Sequence, residues 1–194
     1  MEHVEIRLSG SGGQGLILGA IVLSEALSAE GYQVAHSQAF EPVSRGGVSR
    51  SDVVADRRSV DYPLATALDM LLVLDDCASG LSQGLLRSGA LVLVDQGLAQ
   101  APAGDVTVYR LPLIESAHAL GNARVANMAA LGAMARLGQL CRMDSLRDAV
   151  RRTVPGAFVE LSLGALAAGE ALASAATGSP RPSKDLTAPV VTSR

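Results

Sequence analysis

A strand that runs into a cluster of glycines and leaves it as a helix constrains this chain more than any other feature. Val4, Ile6 and Leu8 alternate with polar residues and lead into Ser9-Gly10-Ser11-Gly12-Gly13-Gln14-Gly15. From about Gln14 to Ala29 the apolar residues fall at helical spacing, and Gly31 stands where a C-terminal cap belongs. Small residues let the backbone turn tightly, and free N–H groups at a helix start attract anions, so phosphate or pyrophosphate is the natural ligand. The alternative is a tight strand-to-helix turn that holds nothing.

Two specific versions of such a loop can be tested on the residues. Positions 10, 12 and 15 satisfy G-x-G-x-x-G, but a dinucleotide site also wants a carboxylate about 20 positions further on for the ribose hydroxyls. That neighbourhood reads Val34-Ala35-His36-Ser37-Gln38, without one. A nucleotide-triphosphate loop needs Lys-Ser or Lys-Thr after its last glycine. Here Leu16 and Ile17 follow Gly15. The loop is a weak NAD candidate and not an NTPase loop.

The rest of the chain alternates. Strands are expected over residues 32–39, 48–55, 69–74, 90–94 and 106–111. Those at 69–74 and 90–94 are continuous apolar runs suited to a parallel sheet covered on both faces. Helical spacing appears at 63–68, 77–87 and 114–120, and then at 124–139, 143–152 and 157–175. This order predicts an α/β fold: a doubly wound, mostly parallel sheet with helices on both faces and a helical C-terminal part. The 194 residues suit a single domain over 1–176, and the Gly, Ser, Pro and Thr of 177–194 predict a disordered tail.

Composition excludes several classes. Hydrophobic residues are 48% and charged residues 18%, which is not the make-up of a disordered chain. Aromatics at 3% leave no base-stacking platform, and a net charge of −3 argues against nucleic acid or an anionic membrane as partner. No apolar run approaches the ~18 residues of a membrane span, and the first residues lack the pattern of a signal peptide, so a cytoplasmic location is expected. Lys184 is the only lysine. Cys77 and Cys141 are too few for an iron–sulfur cluster or a four-thiolate zinc site within one chain, and a pair of buried free thiols is expected.

Two further clusters carry chemistry. In Phe40-Glu41-Pro42-Val43-Ser44-Arg45-Gly46-Gly47-Val48-Ser49-Arg50, the glycines permit close approach by a ligand or another chain. Arg45 and Arg50 there offer charge-assisted contacts to carboxylate or phosphate. A solvated loop pinned by one salt bridge is the plainer reading. In Leu120-Gly121-Asn122-Ala123-Arg124-Val125-Ala126-Asn127-Met128-Ala129-Ala130-Leu131-Gly132, Asn122 can cap the following helix. Ala129, Gly132 and Ala133 give it a face for close packing, while direct ligand contact by Asn127 is the sharper alternative. His3, His36 and His118 have no partners at metal-ligand spacing. Asp75, Asp76 and Asp95 fall at strand ends, where caps are commoner than acid–base pairs. No self-sufficient active site is legible.

The three clusters, in this order and spacing, resemble the gamma subunit of 2-oxoacid:ferredoxin oxidoreductases, the family of the pyruvate, 2-ketoisovalerate, 2-oxoglutarate and indolepyruvate enzymes. The resemblance rests on Gly10 to Gly15 (G-x-G-G-Q-G), Phe40 to Gly47, the Asp-led strand Asp69 to Asp75, Gly89 to Val94, and Gly121 to Met128. It covers about residues 4–175. Glu41 stands where the family has glycine and Val43 where an acidic residue is common. The resemblance implies a Rossmann-like domain in a heteromeric enzyme that oxidatively decarboxylates a 2-oxoacid to an acyl-CoA and passes electrons to ferredoxin. It implies partner subunits that carry thiamine diphosphate, magnesium and [4Fe–4S] clusters, and a ferredoxin-like subunit among them. This chain would bind no cofactor firmly by itself, would carry no catalytic residue and would help receive coenzyme A. Gly10, Gly12, Gly13, Gln14, Gly15, Arg45, Gly46, Gly47 and Asn127 are the residues expected at that site or at a subunit interface. An autonomous NAD- or flavin-binding protein and a purely structural interface subunit are the alternatives.

Overall fold

The computed structural model describes residues 2–40 and 47–177. Arg45 and Gly46, with the rest of 41–46, and the segment expected to form a disordered tail from 178 onward, lie outside them. Six strands form one sheet: β1 (His3–Ser11), β2 (Gln33–Phe40), β3 (Val48–Asp56), β4 (Leu68–Val73), β5 (Leu86–Asp95) and β6 (Val106–Leu111). Their order across the sheet is β2-β3-β1-β4-β5-β6. β1, β4, β5 and β6 run parallel, and β3 is antiparallel to both of its neighbours. The helices are α1 (Leu16–Ala29), α2 (Leu113–Ala119), α3 (Ala126–Gly138), α4 (Met143–Thr153) and α5 (Gly156–Thr177).

Alternation along the strands divides two cores. Val4, Ile6 and Leu8 of β1 face the helices, together with Val53 and Ala55 of β3 and Leu72 of β4. Leu71 and Val73, with Val92 and Val94, face the other side. Every α-helix contributes its buried residues to the first core. The second core contains none of them: Ala65, Ala78 and Leu98 from connecting segments close it instead. The expected helices on both faces are thus a mixed sheet with its helices on one face. Residues 63–68, read as helical, form no helix, and 77–87 break into 3-10 turns at Asp76–Ala78 and Gln83–Leu85 before β5 begins. Their apolar residues are spaced to plug a sheet face rather than to line a helix. Short connections of this kind suffice for the parallel crossovers β4–β5 and β5–β6.

Glycine sets the closest packing. A Cβ on Gly132 would strike the Leu166 carbonyl, and one on Gly169 the Ala129 carbonyl, so the small-residue face of α3 lies directly on α5. With 22 residues and a mean hydropathy of 1.3, α5 is long and apolar enough to cross a bilayer, against the sequence-based expectation. Ala165, Leu166, Gly169 and Ala173 are buried on its α3-facing side, while Phe158 and several alanines of the same helix stay exposed. Neither cysteine is in a disulfide, and Cys77 is exposed, not buried: it sits in the 3-10 turn after β4, where the chain is at the surface.

Candidate functional site

The glycine loop lies at the C-terminal ends of β1 and β4, the edge of a parallel sheet at which ligands gather. Its shape is set by Gln14. The Ser11 amide donates to Gln14 Oε1 at 2.8 Å, and Gln14 Nε2 donates to the Leu74 carbonyl at 3.2 Å. One side chain therefore ties the loop to both strands. A Cβ on Gly10 would push the Gln14 amide out of the place these two bonds give it. Gly15, at φ 72°, is the left-handed N-cap residue of α1. A Cβ on it would stand 2.7 Å from Asn127 Nδ2, which donates to the Gly15 carbonyl at 2.8 Å.

Gly12 and Gly13 differ. Both are exposed. Gly13 is left-handed, at φ 96°. Around Gly12 the nearest atom to an added Cβ is the Gly47 carbonyl, 3.8 Å away. That carbonyl accepts from the Gly12 amide at 2.9 Å, which brings the start of β3 beside the loop. Of the residues singled out in the sequence, Gly10, Gly12, Gly13, Gln14, Gly15, Gly47 and Asn127 therefore converge. Asn127 is 3% exposed and contributes from inside, through Gly15.

The electrostatics favour an anion. α1 has no side-chain cap and no acidic residue in its first turn, so its orphan amides carry their partial positive charge unopposed. The Arg124 carbonyl is 3.7 Å from the Cβ position of Gly15, and the exposed Arg124 guanidinium has no partner among the described residues. Sequence reasoning passed over Arg124, although it sits two places after the cap Asn122, whose Oδ1 accepts from the Arg124 amide. Asp75, expected as a cap, does cap a turn by accepting from the Cys77 amide at 3.0 Å. Burial works against its charge, yet the Cys77 amide, the Ser11 hydroxyl and the Cys77 thiol hold its carboxyl below the ordinary value. Asp95 likewise accepts from the Gly97 and Ile114 amides. Among the described residues no three His, Cys, Asp or Glu side chains converge as a metal site.

The sheet order bears on the dinucleotide alternative. In a dinucleotide fold the ribose carboxylate ends the strand beside β1. Here β3 separates β2 from β1, so the end of β2 stands two strand spacings away, roughly 10 Å.

Comparison with known proteins agrees with this geometry. The family model described as pyruvate ferredoxin/flavodoxin oxidoreductase matches residues 5–172. The chain belongs to that family. The 2-oxoglutarate synthase subunit KorC of Methanocaldococcus jannaschii is 34% identical over 170 residues, 85% of this chain and 91% of that one. The solved gamma subunit of the keto/oxoacid ferredoxin oxidoreductase of Geobacter sulfurreducens superposes with a TM-score of 0.82 at 38% identity, covering 91% of this chain and 99% of that one. A 2-oxoglutarate:ferredoxin oxidoreductase from Magnetococcus marinus, solved with 2-oxoglutarate, coenzyme A and succinyl-CoA bound, shares the fold at a TM-score of 0.78 and 22% identity. It contains the fold as 32% of a longer chain. The present chain is a gamma subunit of the 2-oxoacid:ferredoxin oxidoreductase type.

Proposed function

We propose that this gamma subunit receives coenzyme A at its glycine loop within a heteromeric 2-oxoacid:ferredoxin oxidoreductase, in which partner subunits hold thiamine diphosphate, magnesium and the iron–sulfur clusters. The observation that carries the reading is the contrast among the glycines. A Cβ on Gly10 or Gly15 would displace the Gln14 or Asn127 amide, whereas at Gly12 the nearest described atom is an ordinary contact away and the backbone is not left-handed. Nothing inside the described chain requires glycine there. A ligand that lies against the backbone does.

Coenzyme A suits the loop because its phosphates are anionic, the α1 amides are uncapped donors with partial positive charge, and Arg124 is a cation without a partner among the described residues. It supplies the thiol that accepts the acyl group; this chain's residues bind and orient it. Gly47 is held next to Gly12, and Arg45 and Gly46, expected at the site from the sequence, lie outside the described residues. The 2-oxoacid is selected elsewhere in the complex.

Gly12→Val in the assembled enzyme tests this. Melting of the variant stays at the wild-type temperature, since an added Cβ meets no described atom closer than 3.8 Å, while KM for coenzyme A rises 10-fold or more and KM for the 2-oxoacid does not. Unchanged kinetics in a folded, assembled variant would refute the assignment and leave the loop as a packing turn.

A further inference from the structure

The helix-free side of the sheet carries a second feature beside the glycine loop. Between β1, β3 and the 3-10 turn after β4 is a cavity of about 230 Å³, lined by Ser9, Ala39, Val48, Arg50, Leu81 and Ser82. Strand alternation places Ser9, Arg50 and Ala39 on this face, in register across β1, β3 and β2. The Arg50 guanidinium has no hydrogen bond or ion pair among the described residues. Beside it Leu81 is 61% exposed, the most exposed large hydrophobic among the described residues. The contrast with the neighbouring arginine on the same face is sharp. Arg7 is buried in a bidentate pair with Asp52, at 2.6 and 2.8 Å, and also donates to Ser82 Oγ.

We propose that this cavity is the docking site for another subunit of the same oxidoreductase, through a segment that presents a carboxylate to Arg50 and an apolar side chain to Leu81. The proposal rests on the heteromeric reading above, and it adds the face and the chemistry of the contact. Charge complementarity identifies the occupant. A guanidinium among Ala39, Val48 and Leu81 pairs more strongly once a partner excludes water, and arginine beside an apolar anchor is a common centre of binding energy. A second copy of this chain fits poorly. Asp52, the acidic residue closest in sequence to Arg50 among the described residues, is already consumed by Arg7. A two-fold contact centred on this cavity would set Arg50 near its own equivalent. Small side chains next to the cavity, Ser37 and Ala39 on β2, let a partner backbone come close. Among the described residues no α-helix covers this side.

The test is co-expression with the thiamine-binding subunits, followed by native mass spectrometry of the complex. Arg50→Glu and Leu81→Asp are each expected to lower the gamma subunit retained by 10-fold or more. Arg152→Glu, which changes an exposed arginine on the helical side, is expected to leave it unchanged. Both residues tested are at the surface, and the melting temperature of each isolated variant reports its fold. Amide exchange of the wild-type chain gives an independent reading: residues 78–82 are expected to gain protection on assembly, and unchanged exchange there overturns the proposal. Variants that assemble as wild type do so overturn it while leaving the heteromeric reading intact. A concentration-dependent homodimer abolished by Leu81→Asp also overturns it, in favour of a second copy. If the wild-type chain joins no thiamine-binding subunit, the heteromeric reading fails and this proposal falls with it.

Discussion

Asn127 Nδ2 donates to the carbonyl of Gly15 at 2.8 Å, joining α3 to the turn that starts α1 across 112 residues of sequence. Asn127 Oδ1 meanwhile accepts from the Met128 amide at 2.9 Å, which fixes the orientation of the side-chain amide. In Asn127→Asp a carboxylate oxygen replaces the donor and faces a carbonyl in a buried site. The expected loss of stability is about 1–3 kcal/mol, the cost of a buried polar group left unmatched. Urea unfolding measures it, and a variant as stable as wild type would show that the bond contributes nothing.

Gln14 carries the loop in the same way, and the substitution Gln14→Glu separates its two bonds. The acceptor to the Ser11 amide is retained, while the donor to the Leu74 carbonyl is lost. The new negative charge also stands at the edge proposed for an anion. KM for coenzyme A is expected to rise in the assembled enzyme, and to rise further as ionic strength is lowered, because an exposed charge is less screened there. A KM indifferent to salt would mean the charge does not face the ligand.

Arg7 and Asp52 form a buried bidentate pair, with side chains 3% exposed on each side. Asp52 also accepts from the Ala65 amide, so the pair anchors the connection that closes the second core. Arg7→Met leaves a carboxylate buried without its counter-charge and is expected to cost about 3–5 kcal/mol. The double variant Arg7→Met/Asp52→Leu is expected to recover most of that loss, since an apolar pair of similar volume is often as stable as a buried ion pair. A double-mutant cycle by chemical denaturation decides it: additive losses contradict the coupling.

Much of this architecture was legible because strand and helix periods write themselves into the sequence. All six strands and the helices from α1 to α5 appear where alternation, continuous apolar runs or 3.6-residue spacing put them. The Asn122 cap and the turn at Gly31 (φ 86°) do too. The failures share a cause. Residues 77–87 have apolar spacing that suits a helix, but Leu85 and Leu86 are spent against Leu71 and Val73 on a sheet face, a tertiary demand that no local period encodes. Cys77 is exposed for the same reason. The position of β3 between β1 and β2 is likewise invisible locally, though it decides against a dinucleotide site. At the candidate site Gly10 and Gly15 could be picked out, but not their reasons, since Gln14 and Asn127 act only once folded. Arg124 stands inside the Gly121–Met128 motif, but nothing local tells it apart from a solvated arginine.

His36 of β2 gives the last prediction. Its Nε2 is buried and has no hydrogen-bond partner. Desolvation pulls its pKa below the ordinary value of 6.5, and the charge of Asp52 only partly opposes that. The folded chain therefore holds this imidazole neutral at a pH where the unfolded chain would protonate it. Unfolding takes up a proton, so stability is full above pH 6.5 and declines as pH falls below it, until the folded pKa is reached. Glu5, Glu30 and Asp75, whose pKa values are lowered, begin to lose their contribution only as pH falls below about 4.5, so they leave the window from pH 5.5 to 7.5 to His36. Each unit of depression is worth about 1.4 kcal/mol between the two states. Wild-type unfolding free energy is expected to drop from pH 7.5 to 5.5, and His36→Gln, which cannot titrate, is expected to flatten that drop. Equal slopes in the two proteins would assign the pH dependence to another group.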